Sequence, residues 1–388
     1  MQKMKFLDLF AGIGGFRIGM ESAGHECIGF CEIDKFARAS YKAIHDTKGE
    51  IELHDITTVS DDTIRGIGHV DVICGGFPCQ AFSIAGARRG FEDTRGTLFF
   101  EIARFASILK PRYLFLENVK GLLNHDKGNT FEVILSALDE LGYDVEWQVL
   151  NSKNFGVPQN RERVFIIGHL RGGSGRKVFP LSGDGAAITC EQPKINKVGN
   201  IRKKGKSQSG YVVSIDSLAP TLCSTTTQKD PLKVLIENEI KQFGVLQPNY
   251  NQSGVVYEID GISPTIRAYQ GENLEPKIRV KEATKQGYQE AEIGDSVNLS
   301  HPNSKTRRGR VGKKIANTLL TGESQGVVEP DFRIRKLTPR ECWRLQGFPD
   351  WAFDKAQEVN SNSQLYKQAG NSVTVNVISA IAQGLGGN

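Results

Sequence analysis

The stretch FLDLFAGIGGF, residues 6–16, joins an apolar run to a glycine-rich segment near the N-terminus. The pattern predicts a buried strand, a tight turn and the start of a helix, an arrangement that lets the backbone approach a nucleotide-like ligand closely. With Gly12 and Gly14 as the first two glycines of the fingerprint GxGxxG, the third position holds Arg17. A pyrophosphate ligand is therefore not favoured, and a plain tight turn stays open as the alternative.

Outward from this stretch, apolar strand-like segments alternate with amphipathic helical segments as far as about residue 170. The strand-like segments are KFLDLF, CIGFCEI, VDVICGG, YLFLENV and RVFIIGHL, and the longest helical ones are KFARASYKAI, TLFFEIARFASILK and TFEVILSALDELG. This alternation predicts a parallel sheet covered by helices on both faces. Residues 1–172 are thus predicted to form a doubly wound, Rossmann-like α/β domain.

The pattern changes at Arg171, where RGGSGRK opens a region rich in Gly, Ser, Thr and Asn with short β-like runs. A second, smaller, mostly β domain with a hinge is predicted for residues 173–350. Near its end, LTPRECWRLQGFP predicts a helix with a Thr cap and Pro339 in its first turn. Residues 351–388 end in the apolar NSVTVNVISAIAQGLG, which is predicted to pack back onto the first domain.

Length and composition limit the functional classes. The chain has 388 residues, more than a single domain usually holds, and its 39% hydrophobic and 24% charged residues are ordinary for a soluble protein. No apolar run would span a bilayer, and the N-terminus lacks the pattern of a signal peptide, so a cytoplasmic protein without a membrane partner is expected.

The cysteines and histidines form neither a disulfide framework nor a metal site by spacing. Seven cysteines are scattered along the chain. Cys27 and Cys31 are interpreted as two residues of one buried strand face rather than half of a zinc site. The seven histidines show no HExxH or similar spacing, so no metal is expected.

Positive charge is concentrated in the second region. Residues 171–330 contain 23 Lys and Arg against 16 Asp and Glu. The densest parts are IRKKGK from Ile201 and KTRRGRVGKK from Lys305, which makes Arg307, Arg308 and Arg310 candidate phosphate contacts. A solvated loop is the alternative for either run.

The same region contains an internal repeat. SGYVVSIDSLAPTL from Ser209 and SGVVYEIDGISPTI from Ser253 align without gaps at a spacing of 44 residues, and RGRVGKKIANTLL from Arg308 is a fainter third copy. The copies are either similar hairpins of one scaffold or duplicated modules that each read a ligand.

Three segments that follow or precede predicted strands carry the candidate chemistry. Glu32 ends the second strand, where a carboxylate can accept hydrogen bonds from ribose hydroxyls. An adenosine-bearing cofactor without a pyrophosphate fits this position and the glycine turn, and S-adenosylmethionine is the common one.

The segment VDVICGG is followed by Phe77, Pro78 and Cys79, which places a thiol at the carboxyl end of a parallel strand beside the cofactor. We therefore interpret Cys79 as a nucleophile, while a small buried hydrophobe is the alternative and fits Cys74.

Glu117 ends the strand YLFLENV, and Arg161 and Arg163 alternate just before the last strand. A partly desolvated Glu117 with a raised pKa is a candidate proton donor, and an N-cap-like anion is the alternative. Two arginines at alternate positions share one face of an extended segment, where their guanidinium groups bind phosphate or carbonyl oxygens.

Together these motifs resemble a known family. DLFAGIGGF, GGFPCQAFS, ENV, QNRER, RECWRLQGFP and GNSV occur in the order found in bacterial and phage DNA (cytosine-5)-methyltransferases of the type II restriction-modification kind. The likeness covers the N-terminus to about Leu170 and about Arg335 to the end. In that family the intervening region holds the target-recognition domain, which corresponds here to the basic, repeat-bearing segment.

The resemblance implies that the chain methylates C5 of a cytosine flipped out of double-stranded DNA, with S-adenosylmethionine as donor and S-adenosylhomocysteine as product. It implies attack of Cys79 on C6, protonation at N3 assisted by Glu117, a contact of Arg163 with the cytosine O2, and support of that loop by Arg161. Residues near the flipped nucleotide would be Gln80 and Ser83. The implied cofactor contacts are Gly12, Gly14, Phe16 on the adenine, Glu32 on the ribose, Ile33, Asp55 on the adenine amino group, Ile56, Pro78, Leu98, Asn371 and Val373.

Other interpretations remain open at this stage. A tRNA cytosine-5 methyltransferase shares the PCQ and ENV elements but has a small recognition region, whereas the long basic region here favours DNA. An inactive DNA-binding relative is the rival from another class, although it has no need of Cys79, Glu117 and Arg163 together. The protein is expected to act as a monomer, and a restriction endonuclease, if present, acts separately. The target sequence and the number of targets are not readable from the chain.

Overall fold

The computed structural model describes residues 3–78, 98–173, 177–181 and 278–385, without residues 303, 305, 323, 331 and 332. It also describes the backbone of four short strands: β9 (Lys197–Asn200), β10 (Tyr211–Val213), β11 (Lys233–Val234) and β12 (Tyr257–Glu258). Among the described helices, none is long and apolar enough to cross a membrane.

A seven-stranded sheet with the strand order β3-β2-β1-β4-β5-β8-β6 forms the centre of the molecule. Its strands are β1 (Lys5–Leu9), β2 (Glu26–Cys31), β3 (Ile51–Leu53), β4 (Val72–Gly76), β5 (Tyr113–Val119), β6 (Tyr143–Asn151) and β8 (Glu162–Leu170). The first five strands pair in parallel, as the alternating pattern predicts. Their carboxyl ends consequently lie at one edge of the sheet.

The prediction of a parallel sheet is wrong for the last predicted strand, which is β8. Strand β8 runs antiparallel to both β5 and β6. The connection from β6 to β8 is short, with a 3-10 turn at Ser152–Phe155 and the two-residue strand β7 (Gln159–Asn160). A connection without a crossover helix reverses the chain, and an antiparallel pair results.

Helices cover both faces of this sheet. One face packs against α3 (Asp61–Gly66), α4 (Leu98–Leu109) and α5 (Asn129–Glu140), and the other packs against α1 (Gly15–Ser22) and α9 (Val375–Leu385). The C-terminal helix therefore returns to the first domain, as predicted from its apolar sequence. Helix α2 (Lys35–Ile44) begins at Asp34, whose carboxylate accepts from the backbone N–H groups of Phe36 and Ala37.

Cys27 and Cys31 are both buried, but the prediction that they share a face is wrong. Cys27 pairs with Phe6 and packs in the cluster beneath α1, whereas Cys31 pairs with Leu9 and packs in the opposite cluster. The register between β1 and β2 shifts after Phe6, and this bulge inserts one residue that inverts the alternation.

The C-terminal segment begins with a capped helix. Helix α6 (Pro339–Leu345) has Thr338 as its N-cap and Glu341 as the reciprocal partner in a capping box, which confirms the predicted start. It packs with α7 (Asp350–Gln357) and α8 (Asn362–Asn371) around Trp343, whose indole N–H donates to the Leu365 carbonyl over 3.0 Å.

Residues 278–336 form short strands around a small apolar cluster that includes Val280, Val297, Val311 and Val328. The strands are β13 (Ile278–Lys281), β14 (Tyr288–Ala291), β15 (Ser296–Asn298), β16 (Val311–Gly312), β17 (Ala316–Asn317), β18 (Gln325–Val328) and β19 (Ile334–Lys336). Their β character agrees with the prediction for this region.

By its contacts the chain divides into two units, Met1–Ala186 with Ser253–Asn388, and Ala187–Gln252. Strands β9, β10 and β11 form a three-stranded sheet in the second unit. The boundaries 1–172, 173–350 and 351–388 stay a prediction.

Candidate active site

The carboxyl ends of β1, β2, β4 and β5 open into a cleft of about 510 Å³. Open α/β sheets place their ligands at this edge. Eleven of the predicted site residues line the cleft together: Gly12, Glu32, Ile33, Asp55, Ile56, Pro78, Leu98, Glu117, Arg161, Arg163 and Asn371.

Glu32 is fixed beside the glycine turn. Its Oε2 accepts from the Gly12 backbone N–H over 2.8 Å, and its Oε1 accepts from the Asp34 N–H over 2.7 Å. Burial raises the pKa of Glu32, while these two backbone donors oppose the shift. Each carboxylate oxygen retains a free lone-pair direction, so the group can still accept hydrogen bonds from a ligand in the cleft.

The opposite wall of this part of the cleft is a short turn. Asp55 accepts from the Thr57 N–H over 3.0 Å at the start of the 3-10 turn Ile56–Thr58. Arg104 on α4 holds the turn from behind by donating to the carbonyls of Ile56 and Val59 over 3.0 and 2.8 Å. Ile33 is 66% exposed at the lip. This part of the cleft therefore combines the apolar side chains of Ile33 and Ile56 with the carboxylate of Asp55.

Glu117 lies at the other end of the cleft and is 7% exposed. Residue Gly76 of β4 pairs with it, and a Cβ added at Gly76 would lie 3.2 Å from Oε2 of Glu117. Burial raises the pKa of the Glu117 carboxyl, although Arg163 and Arg161 oppose that shift. The neighbouring Asn118 donates from Nδ2 to the Phe77 carbonyl over 2.8 Å, which ties the segment leading to Cys79 to the end of β5.

Arg161 and Arg163 face the same carboxylate. Nε of Arg163 lies 3.0 Å from Oε1 of Glu117. Arg161 is 3% exposed, and Nη2 donates to the Ser372 carbonyl over 2.8 Å, but Nε and Nη1 have no hydrogen-bond partner among the residues that the structure describes. Burial and the nearby Arg163 lower the pKa of Arg161 to about 9. Such buried unpaired donors are costly in the free protein and are suited to an acceptor that a ligand brings.

Three predicted cofactor residues are not among the described residues that line the cleft. Phe16 is buried and packs edge-on against Phe115 with ring centroids 5.0 Å apart. Gly14 faces the His45 ring, and Val373 packs against Gly15. These residues support the glycine turn, so any contact with the adenine from Phe16 stays a prediction.

Cys79, Gln80 and Ser83 lie outside the described residues, and the described chain ends at Pro78 in the cleft. Of the basic candidates, Arg308 is exposed and donates from Nε to the Ala283 carbonyl over 2.9 Å. Arg307 is partly buried.

Arg310 differs from its neighbours because it is 2% exposed. Its Nε and Nη1 donate to the carbonyls of Asn298 and Lys281 over 3.0 and 2.8 Å. These bonds occupy the guanidinium within the strands, so this conformation does not present Arg310 to DNA.

The structure adds residues that the sequence did not single out. Lys367, Gln368, Gly370 and Ser372 line the cleft from α8 and the segment after it. Lys367 forms an ion pair of 2.7 Å with Asp34, next to Glu32. The signal that could have found Lys367 is its spacing of four residues before Asn371, which is one helical turn on the same face.

Comparison with known proteins gives a consistent result. A family model described as C-5 cytosine-specific DNA methylase matches residues 4–387. The chain belongs to this family. The orphan methyltransferase M.SPRI of Bacillus phage SPR is 35% identical over 98% of this chain and 97% of its own. The type II methyltransferase M.HpaII of Haemophilus parainfluenzae is 38% identical over 98% of this chain and 88% of its own.

The protein is thus a DNA (cytosine-5-)-methyltransferase, which confirms the resemblance in its motifs. The crystal structure of a Spodoptera frugiperda DNMT2 variant covers 99% of both chains with a TM-score of 0.50 and 16% identity, a likeness that concerns the fold alone. The family normally uses S-adenosylmethionine. Among the residues that the structure describes, no group of three or more His, Cys, Asp or Glu is placed to hold a metal ion.

Proposed function

We propose that this methyltransferase transfers a methyl group from S-adenosylmethionine to C5 of a cytosine that is flipped out of double-stranded DNA at a specific sequence. The observation that carries the proposal is the convergence of Glu32, Glu117 and the partly unpaired Arg161 on one cleft that also contains Pro78. One end of the cleft suits an adenosine, and the other end suits a small ring with hydrogen-bond acceptors.

The cleft fits S-adenosylmethionine by the chemistry of its walls. Glu32 offers acceptors to ribose hydroxyls, and no described atom lies within 4 Å of the position that a Cβ at Gly12 would take, so the space beside the backbone is open. Ile33 and Ile56 offer apolar surface to an adenine, and Asp55 offers an acceptor at its edge. When bound there, the cofactor supplies an electrophilic methyl group.

The chain's own residues prepare the cytosine. The Cys79 thiolate forms an Sγ–C6 bond, and the electron pair of the C5–C6 double bond is delocalised towards N3, which takes a proton from Glu117. The ring is then an enamine with a nucleophilic C5. After C5 has been methylated, its proton is lost to solvent. Breakage of the Sγ–C6 bond and return of the N3 proton to Glu117 then restore the aromatic ring and the thiolate.

Glu117 and the two arginines stabilise the transition state of this addition relative to the ground state. A carboxyl group with a raised pKa keeps its proton for N3 at a higher pH than an exposed glutamate would. A guanidinium group near O2 stabilises the negative charge that develops when C6 is attacked. Arg163 would make that contact, and Arg161 would support the loop.

The partner is double-stranded DNA, held by the basic region that includes Arg307 and Arg308. We expect a monomer that protects DNA from a separately acting restriction endonuclease where one is present. M.SPRI is named an orphan methyltransferase, so methylation without such a partner is the other possibility to test. The repeats at Ser209 and Ser253 fit either one target or more than one.

Bisulfite sequencing of unmethylated plasmid DNA, incubated with the protein and S-adenosylmethionine, tests the proposal. We expect protected cytosines in a fixed sequence context and none with Cys79→Ala. One context would indicate a single target, and several would indicate several. Protection that persists in Cys79→Ala would contradict the role of the thiol, and no protection by the wild type would contradict the DNA reaction.

A further inference from the structure

The short strand β7, which immediately precedes Arg161, is paired with a strand of the basic β region. Strand β17 runs parallel to β7, with Ala316 opposite Gln159 and Asn317 opposite Asn160. The Ala316 N–H donates to the Pro158 carbonyl over 2.8 Å, and the Thr318 hydroxyl donates to the Asn160 carbonyl over 2.7 Å. Arg161 is the next residue after this contact.

Two buried glutamine side chains extend the contact into the protein. Gln159 is fully buried; its Oε1 accepts from the Leu319 N–H over 3.2 Å and its Nε2 donates to the Leu345 carbonyl over 2.8 Å. The same Nε2 lies 3.3 Å from Oε1 of Gln346, which is also fully buried. The oxygen of the Gln159 amide therefore keeps this partner only while the segment that follows β17 is in place, whereas Oε1 of Gln346 also accepts from the Thr374 hydroxyl over 2.9 Å.

Gln346 in turn shares an acceptor with Arg161. Nε2 of Gln346 donates to the Ala369 carbonyl over 2.6 Å and reaches the Ser372 carbonyl at 3.3 Å, and Nη2 of Arg161 donates to the same Ser372 carbonyl. The hydrogen bonds thus run without a gap from Leu319 through Gln159 and Gln346 to the guanidinium that faces Glu117.

Two more contacts connect β17 to its surroundings. Asn317 donates from Nδ2 to the carbonyl of Arg310 over 3.3 Å, within the segment that contains Arg307 and Arg308. On the cleft side, Gly370 packs so closely against the Leu320 carbonyl that an added Cβ would overlap the carbonyl oxygen. The segment 316–320 therefore lies between the basic candidates and the wall of the cleft.

We propose that the segment 316–320, which begins with β17, is a positioning element, through which contact of DNA with the basic region fixes Arg161 and Arg163 in their catalytic geometry. The proposal rests on the proposed function, because it assumes that these arginines face the flipped cytosine. Partial separation of this segment from β7 would leave the buried oxygen of Gln159 without a hydrogen-bond partner. The segment is therefore expected to be either fully docked or fully separated. Loss of this contact should then lower the rate of methyl transfer while leaving the affinity for the cofactor unchanged.

Gln159→Met removes the amide while keeping the shape of the side chain, and Thr318→Val removes only the hydroxyl at the partly exposed end. Thr318→Ser restores that hydroxyl. Tyr143→Phe is the matched control, because it removes a buried hydrogen bond of 2.9 Å to the Pro111 carbonyl at the opposite edge of the sheet. If Gln159→Met does not fold, the Thr318 pair still tests the proposal.

The measurement is the single-turnover rate of tritiated methyl transfer by the full chain to a duplex oligonucleotide that contains the mapped target. We expect Gln159→Met to lower this rate by about 10- to 100-fold, since small displacements of positioned groups have effects of this size. Thr318→Val should lower it in the same direction, Thr318→Ser should recover it, and calorimetry should give an unchanged Kd for S-adenosylmethionine in all variants.

A rate in Gln159→Met and Thr318→Val equal to that of Tyr143→Phe would overturn the proposal. So would a rate loss accompanied by an equal loss of cofactor affinity, because the contact would then be a general support of the fold. In either outcome the wild type would still methylate DNA and Cys79→Ala would not. Failure of the coupling can therefore be distinguished from failure of the proposed function.

Discussion

The Glu117 carboxyl group and the Arg163 guanidinium lie in contact inside the cleft, with 3.0 Å between Oε1 and Nε. They come from neighbouring antiparallel strands, and the pair brings a buried carboxyl next to a guanidinium that is held by the Glu162 carbonyl. Burial raises the pKa of Glu117 and the arginine opposes it. The site therefore keeps a proton donor and a cation in contact, which suits protonation of one ring atom and charge stabilisation at another.

Glu117→Gln should lower the single-turnover rate by about 10²–10⁴-fold, because the amide keeps the shape but cannot transfer a proton. The wild-type rate should fall as the pH rises through the raised pKa of Glu117, since the proton donor is lost there. The variant should lack that falling limb and keep the rising limb of the Cys79 thiol. The check is the rate as a function of pH.

Glu162→Gln is the matched control, because Glu162 is the exposed neighbour of Arg163 and pairs with Lys120 outside the cleft. It should keep both limbs. The same falling limb in Glu117→Gln would show that another group is responsible.

Arg161→Met should lower the activity of the protein without lowering its stability. The side chain is buried, and within the described part of the chain Nε and Nη1 are unpaired, so an apolar replacement removes an energetic cost in the free protein. We expect the Tm of the free protein to stay equal or to rise, while methyl transfer falls by about 100-fold. Scanning calorimetry and rate measurements check this, with exposed Arg171→Met as the control. A Tm loss as large as a typical core substitution would contradict it.

Gly12 and Gly14 should respond differently to alanine. Both have positive φ, 57° and 84°, where an L side chain is strained by about 1–2 kcal/mol. At Gly14 the new Cβ would also meet Nε2 of His45, whereas at Gly12 it would enter open space in the cleft. Gly14→Ala should therefore reduce the free energy of unfolding more, and Gly12→Ala should weaken cofactor binding more. Equal effects in denaturation and calorimetry would contradict this assignment.

Truncation before Gly370 should abolish binding of S-adenosylmethionine. It removes Gly370, Asn371 and Ser372 from the cleft wall, together with α9, which covers one face of the sheet. A chain that ends at Leu385 is the control and should bind normally. An unchanged affinity for S-adenosylmethionine in the chain truncated before Gly370, measured by calorimetry, would contradict this prediction.

The amino-acid sequence by itself determined the elements and the sheet edge. Strand β5 and helix α2 have the predicted bounds, because the apolar periodicity and the Asp34 cap act within a few residues. The positions of Glu32 and Glu117 followed as well, since parallel strands bring their carboxyl ends to one edge. Arg161 and Arg163 reach the same edge because β8 is antiparallel, so that its first residues lie beside the carboxyl end of β5.

The tertiary structure decided what depends on partners far apart in sequence. The reversal of β8, the opposite faces of Cys27 and Cys31, and the burial of Arg310 each follow from a pairing or a bulge that local periodicity does not encode. The contact of Gln159 with Gln346 joins residues that are 187 positions apart. Such contacts are selected by packing and by the cost of unpaired buried groups, which exist only once the chain has folded.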